Sequence, residues 1–379
     1  MAFPRFTLGK HNTKYKFTPD IVKAVAKSIN TGASPRMIAG ILTQAADAPG
    51  DFPEQVLVQQ LEEAVYQPDF DHIHDTYMLK HSCQREIKTA RYGNRTPVEH
   101  VIDGVTFGDM AGSTLEFTDF DPEFLPEDIA ELAHAQGNRP TDDTAATLAT
   151  AKCLKEQEAE LHQLYEKWIS SSGFALQPHD NPFIKYYKEC VRSNPDAGWS
   201  WHFMDWALAD GAEPYRSYGD GAAMRVAPIG AMYDDPDQVV FTAAVSATSS
   251  HNHPEGIKGA VVTAMCAWLA MRCSDKEMIR EYMVEHYKKN EYGFHKFSLS
   301  EIKQDIPKDK HDASCMFAVP AAIICFLEAG SYKETIRNAC AYYGDTDTIA
   351  AIAGGIAAAY YGYPGELGEC RGKTHNCSE

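Results

Sequence analysis

Two short acidic clusters carry the strongest chemical signal in the chain. Thr141-Asp142-Asp143-Thr144 stands just ahead of an apolar segment that starts at Ala145. Asp345-Thr346-Asp347-Thr348 stands just ahead of another that starts at Ile349. Each sets two carboxylates and neighbouring hydroxyls at the N-terminal end of a helix-like stretch, where the helix dipole and free N–H groups favour negative charge. Thr and Asp are also ordinary capping residues, and one such cluster is equally well explained by capping. Capping needs only one side-chain oxygen per helix, however. Two clusters brought together would crowd four carboxylates, which repel unless a cation lies among them. Oxygen-only ligands suit Mg²⁺ or Mn²⁺ rather than zinc. Four carboxylates can hold two such ions about 3.5–4 Å apart, the spacing at which paired ions assist hydrolysis.

Three further segments bear residues with chemical potential. Gly108-Asp109-Met110-Ala111-Gly112-Ser113-Thr114-Leu115-Glu116 has two glycines four apart, a flat face for close helix packing, and an acid at its end. Alone, Glu116 reads as a solvated surface acid. Ser217-Tyr218-Gly219-Asp220-Gly221-Ala222-Ala223-Met224-Arg225 is a glycine-bearing loop running into an apolar stretch. Such a loop can present backbone N–H groups to a phosphate, although an ordinary tight turn explains Gly-x-Gly as well. In Ser250-His251-Asn252-His253-Pro254-Glu255 the two histidines could bind a metal or serve packing and hydrogen bonding.

The elements that must position these residues read as helices. Ile102–Gly112, Ala145–Leu154, Ala222–Gly230, Gly259–Met271, Val319–Leu327 and Ile349–Tyr360 are rich in Gly, Ala and other small residues, which let helices pack closely. Gln238–Val245 is the best strand candidate and fits a helix equally well. Ahead of Pro97 the texture differs. Thr18-Pro19 and Ser34-Pro35 are helix starts, and Val56, Leu57, Leu61 and Val65 share a helical face within residues 52–67. The expectation is an all-α protein: a helical extension over residues 1–96, then a compact orthogonal multi-helix bundle over 97–379. Residues 1–16 form a basic arm with Arg5, Lys10, Lys14 and Lys16 and no acid.

Composition narrows the partners. The formal net charge of −18 repels nucleic-acid phosphate, so no nucleic-acid partner is expected. The apolar stretches near Phe317–Leu327 and Ile349–Tyr361 are too short to span a bilayer, and the N-terminus lacks an apolar signal core, so no membrane partner or secretion is expected. The 10 cysteines include no CxxC pair, which argues against a zinc site. Cys266, Cys315, Cys325 and Cys340 fall in apolar patterns and read as reduced core residues of a cytoplasmic protein. Cys370 and Cys377 read as free thiols in a polar tail.

Taken in order, the motifs resemble the ADP-ribosylglycohydrolase family of the dinitrogenase-reductase-activating type. That pattern runs GDxxGxxxE, TDDT, GNGxxMRxxPxG, a THxHPE-like segment and GGDTDTxAAIxGAxxGAxxG. This chain has GDMAGSTLE at 108–116, TDDT at 141–144, GDGAAMRVAPIG at 219–230, SHNHPE at 250–255 and GDTDTIAAIAGGIAAAYYG at 344–362. Asp220 stands where the family has Asn, Ser250 where it has Thr, and Tyr343 where it has Gly. The resemblance covers residues 97–365 and leaves the extension uncovered.

The resemblance implies that Thr141, Asp142, Asp143, Asp345, Asp347 and Thr348 hold two Mg²⁺ or Mn²⁺ ions, with Asp109 behind them and Glu116 placed over them. It implies that Ser217, Tyr218, Gly219, Asp220, Gly221 and Met224 line the site for the ADP part, and that His251 lies near the pyrophosphate or ribose. The implied activity is metal-dependent hydrolysis of ADP-ribose from a modified protein side chain, arginine first and serine as the rival. Glu116 and Asp345 would be the residues closest to the chemistry. The ions would orient the ribose diol and make an attacking water more acidic. Bacterial relatives suggest a further partner, an ADP-ribosyltransferase toxin, which the basic arm would engage as part of an immunity function. A non-catalytic ADP-ribose-binding or inhibitory protein and a two-metal phosphate-ester hydrolase are the competing readings.

Overall fold

The computed structural model describes residues 89–118, 121–171, 174–211, 213–272, 276–287, 312–342 and 344–368. The helix starts expected before residue 89, the basic arm, Tyr343 and the cysteine-bearing tail lie outside the described residues. Thirteen α-helices make up the described fold. They are α1 (Pro97–Ser113), α2 (Ala130–Ala133), α3 (Asp142–Glu156), α4 (Glu158–Ser170), α5 (Phe183–Ser193), α6 (Trp201–Leu208), α7 (Ala227–Met232), α8 (Pro236–Thr248), α9 (Pro254–Arg272), α10 (Glu277–Tyr287), α11 (Cys315–Glu328), α12 (Tyr332–Cys340) and α13 (Thr346–Tyr361). The only extended pairing among these residues is an isolated bridge between Gly219 and Ser314. The fold is all-α. None of the described helices is long and apolar enough to cross a membrane.

The start of α1 follows from local chemistry. Thr96 caps it in an extended conformation, its Oγ1 accepts from the Glu99 amide, and the Glu99 carboxylate accepts from the Thr96 amide at 2.7 Å. Pro97 occupies the first turn, where its missing N–H costs nothing. One face of α1 is a row of glycines at helical spacing, Gly104, Gly108 and Gly112. A Cβ on Gly108 would sit 2.1 Å from the Ala350 carbonyl oxygen, and one on Gly112 would sit 2.5 Å from Cα of Asp347. The backbone of α13 therefore lies directly against that of α1. Small residues give this approach, and it sets the acidic start of α13 beside the end of α1.

One open reading is settled and one expectation is corrected. Gln238–Val245 lies inside α8, with Asp235 as cap and Pro236 in the first turn. Its apolar run has no period because almost every face of α8 is buried. The expected helix Ala222–Gly230 is instead a 3₁₀ turn, Asp220–Ala222, followed by α7 from Ala227. Pro228, near the start of α7, favours beginning a new helix over continuing an old one. Helix α9 is apolar nearly all round and fills the centre, packed on α7, α8, α11 and α13. Cys153, Cys190, Cys266, Cys315, Cys325 and Cys340 are buried thiols outside any disulfide.

Candidate active site

The two acidic clusters meet, and they start their helices one turn earlier than expected. Asp142 opens α3 and Thr346 opens α13, so both carboxylates of the first cluster and Asp347 of the second lie in first turns, with Asp345 as the cap residue. Asp143 is 1% exposed, Asp347 3% and Asp345 8%. Thr348 Oγ1 donates to Asp143 Oδ2 across the junction at 3.3 Å. Thr346 turns the other way, its hydroxyl donating to the Gly344 carbonyl.

Asp109, fully buried near the end of α1, organises the first cluster. It accepts from the Thr141 amide at 2.9 Å, the Thr141 hydroxyl at 2.8 Å, the Thr144 amide at 3.1 Å and the Thr144 hydroxyl. The hydroxyl proton of Thr141 is thus committed to Asp109, and α3 is capped from another helix rather than by its own Thr141 side chain. Glu116 follows on the turn after α1. The Phe117 amide donates to the Gly344 carbonyl at 3.1 Å, which ties this turn to the residue before Asp345. Phe117 has φ +50°, an unfavourable left-handed conformation for a bulky residue, held in place by that contact. Glu116, Asp345 and Asp347 each offer an oxygen, and these oxygens lie within 4.8 Å of one another.

The electrostatics are those of crowded, unneutralised acid. Burial pushes the Glu116 carboxyl up to about 7, with Asp345 and Asp109 adding repulsion. Burial, reinforced by neighbouring carboxylates, holds Asp142, Asp143 and Asp347 well above the usual carboxylate range. Asp345 is raised by burial against the opposing effect of its bonds to Asp347 and Thr348. Asp143 Oδ1 is buried without a hydrogen-bond partner. Among the described residues no lysine or arginine forms an ion pair with any of these acids. An oxygen-rich cluster with no protein cation is suited to a divalent metal ion.

The acids form one wall of a cavity of about 500 Å³. Glu116, Asp142, Asp143, Asp345, Asp347 and Thr348 face Ser217, Gly219, Asp220, Gly221, Met224 and His251 across it. Of the residues anticipated from sequence, Thr141 and Tyr218 are not in this lining. Thr141 sits behind it on Asp109. Tyr218 is half exposed and meets the His253 ring edge-on at 5.4 Å between centroids.

The glycine loop differs from the anticipated phosphate cradle. The Gly219 amide donates to Ser217 Oγ and the Asp220 amide to the Ala313 carbonyl, both at 3.0 Å, so these two N–H groups are already used. The glycines instead make room. A Cβ on Gly221 would lie 3.1 Å from His251 Nε2. Asp220 is 5% exposed, its Oδ2 has no partner, and burial followed by repulsion from Asp345 raises its carboxyl well above the usual range. Sequence reasoning did not single out Phe203, Tyr215 or Arg225, which also line the cavity. The aromatic density of Trp199 to Trp206 was the available signal for the first of them.

The fold agrees with the comparisons. The ADP-ribosylglycohydrolase family model matches residues 95–374, and the chain belongs to that family of hydrolases of ADP-ribose linkages. It is 26% identical over 314 residues to human ADP-ribosylhydrolase ARH3, covering 69% of this chain and 84% of the relative. It is 22% identical over 284 residues to the ADP-ribosylarginine hydrolase Tri1 of Pseudomonas putida (strain GB-1), covering 69% of this chain and 70% of the relative. A solved ADP-ribosylglycohydrolase-related protein complex shares the fold with a TM-score of 0.50 and 21% identity, over 72% of this chain and 91% of that chain.

Proposed function

We propose that this chain is a metal-dependent hydrolase that releases ADP-ribose from modified protein side chains, with arginine the expected linkage. The observation that carries the reading is the single cavity in which unpaired acids from the starts of α3 and α13 face the Ser217–Gly221 loop and His251. Its volume suits a ligand of nucleotide size. The arginine linkage draws support from the name of the Pseudomonas relative.

In this reading Thr141, Asp142, Asp143, Asp345, Asp347 and Thr348 hold two Mg²⁺ or Mn²⁺ ions. When bound, the ions supply charge neutralisation, orientation of the ribose diol and a lower pKa for water. The protein does the rest. Asp109 holds the Thr141–Thr144 turn in the geometry that presents Asp142 and Asp143. Glu116 moves a proton between the attacking water and the leaving side chain. Ser217, Gly219, Asp220, Gly221 and Met224 hold the ADP part, and His251 offers a hydrogen bond to a phosphate or ribose oxygen.

The test is release of free ADP-ribose from arginine-ADP-ribosylated protein, in Mg²⁺ and in EDTA. We expect release that needs the metal and is lost in Asp345→Ala with the fold retained. Release undiminished in EDTA overturns the metal assignment. No release from arginine- or serine-linked substrate in either metal points to a binding protein instead. We propose separately that the basic arm engages an ADP-ribosyltransferase, and the absence of acid between Arg5 and Lys16 supports this. Deletion of residues 1–16 should then weaken that complex and leave hydrolysis unchanged; equal binding by the truncated chain rules the arm out.

A further inference from the structure

Arg225 and Ser250 form a polar chain beside His251 that the proposed chemistry does not use. Arg225 is 0% exposed and forms no ion pair among the described residues. Its guanidinium lies 4.0 Å from the centroid of the Tyr187 ring and 5.6 Å from that of Phe203. The two Nη2 hydrogens are shared among three oxygens, the Ser246 carbonyl at 3.1 Å, Ser249 Oγ at 3.3 Å and Ser250 Oγ at 3.1 Å, while Nε and Nη1 have no partner. Ser250 Oγ lies 2.8 Å from Nδ1 of His251. The peptide that joins Ser250 to His251 is held at both its groups: the His251 amide donates to the Ala247 carbonyl at 2.7 Å, and the Ser250 carbonyl accepts from the Tyr215 amide at 3.1 Å. The ring is walled by Tyr215 and Phe203, with centroids 5.5 Å and 6.2 Å away.

The direction of these bonds can be worked out from donor and acceptor counts. A guanidinium only donates, so Ser250 Oγ accepts from Arg225. The serine hydroxyl has one proton, and His251 Nδ1 is the one acceptor within reach of it among the described contacts. If Nδ1 carried the ring proton instead, Ser250 Oγ would accept twice and its own proton would be left unpaired in a fully buried site. The arrangement that satisfies the serine runs Arg225 to Ser250 to His251 Nδ1. A neutral imidazole then bears its proton on Nε2, the nitrogen that faces Gly219 and Gly221. Burial and the Arg225 charge both hold the ring in its neutral form.

We infer that Arg225 and Ser250 are positioning residues that lock His251 in the Nε2–H tautomer, presenting a fixed hydrogen-bond donor to an oxygen of the nucleotide in the cavity. The inference rests on the functional reading for the ligand but not for the tautomer. The polar relay fixes which ring nitrogen donates; the glycines at 219 and 221 leave that nitrogen uncovered. The serine hydroxyl is essential to the relay, and a threonine hydroxyl at position 250 would serve equally.

Histidine-labelled full-length protein in Mg²⁺ provides the first test, by ¹⁵N NMR, with the His251 signals identified by their loss in His251→Gln. A protonated Nε2 and a bare Nδ1 across pH 6–8 are expected; a protonated Nδ1 overturns the proposal whatever the protein's activity. Calorimetry with free ADP-ribose gives the second. Ser250→Ala should weaken binding by ~5–10-fold, the loss of one oriented hydrogen bond, and raise KM more than it lowers kcat. Ser250→Thr should restore both. Ser249→Ala removes another Arg225 contact without touching His251 and should leave binding unchanged. Equal weakening in Ser249→Ala and Ser250→Ala, or no rescue by threonine, would reduce the serine to packing and overturn the proposal. A wild-type protein that binds no ADP-ribose refutes the functional reading, while the tautomer measurement still decides the relay.

Discussion

Removing the charge of Glu116 should stabilise the protein it disables. In the metal-free fold the carboxyl is raised from 4.5 to about 7, chiefly by burial and then by Asp345 and Asp109. A rise of that size corresponds to roughly 3 kcal/mol if unscreened. Glu116 is only partly buried, so solvent screening reduces this to about 1–2 kcal/mol. The sign follows from linkage: the folded protein binds the proton more tightly than the unfolded chain does. The contribution of Glu116 to stability is therefore intact below about pH 4.5 and is lost as the pH rises through about 7. Glu116→Gln carries no such charge. Stripped of metal with EDTA, the variant should exceed the wild type by about 1–2 kcal/mol at pH 8 and match it near pH 4.5. Urea unfolding at the two pH values measures this. Saturating Mg²⁺ should narrow the gap, because the ion neutralises the neighbouring carboxylates. A variant no more stable than wild type at pH 8, or a gain equal at both pH values, would refute the claim that burial and repulsion penalise the ionised Glu116 carboxyl.

Other perturbations separate the parts of the site. Gly108→Ala drives a methyl into the Ala350 carbonyl, 2.1 Å away; the overpacked seam should cost about 1–3 kcal/mol and lower turnover by displacing α13, read from thermal unfolding and ADP-ribose release. Asp109→Ala leaves the amides of Thr141 and Thr144 without their acceptor, so it should cost about 1.5–3 kcal/mol and weaken metal affinity, read by Mn²⁺ titration. Adding Mg²⁺ at about 100 times its dissociation constant to stripped protein should stabilise the fold by about 2.7 kcal/mol, and a melting temperature indifferent to Mg²⁺ and Mn²⁺ would argue against a metal site.

Much of this was legible in the residues. The helical class, the boundary at Pro97, the close-packing glycines of α1 and the two acidic clusters are local signals. Capping, glycine spacing and charge density act over a few residues, and a sequence displays such neighbourhoods directly. Gln238–Val245 was ambiguous because a buried helix has no polar face to mark its period. Ala222–Gly230 was misread because apolar content hides a 3₁₀ turn, and Pro228 marked the true start of α7.

Other features depend on partners far apart in the chain. Thr141 looked like an ordinary cap, yet its hydroxyl belongs to Asp109, 32 residues away. The Gly219–Gly221 loop looked ready for phosphate, yet its first two amides are taken by Ser217 and Ala313. Arg225 lies inside a visible motif, but its link through Ser250 to His251 exists only once α8 has folded against it. The sequence by itself determined which residue types were available and on which helices they would ride. Tertiary structure alone decided which acids share a wall and which amides are spent. It also decided which nitrogen of His251 faces the cavity. Hydrogen bonds and repulsion act over a few ångströms of space, whatever the separation along the chain.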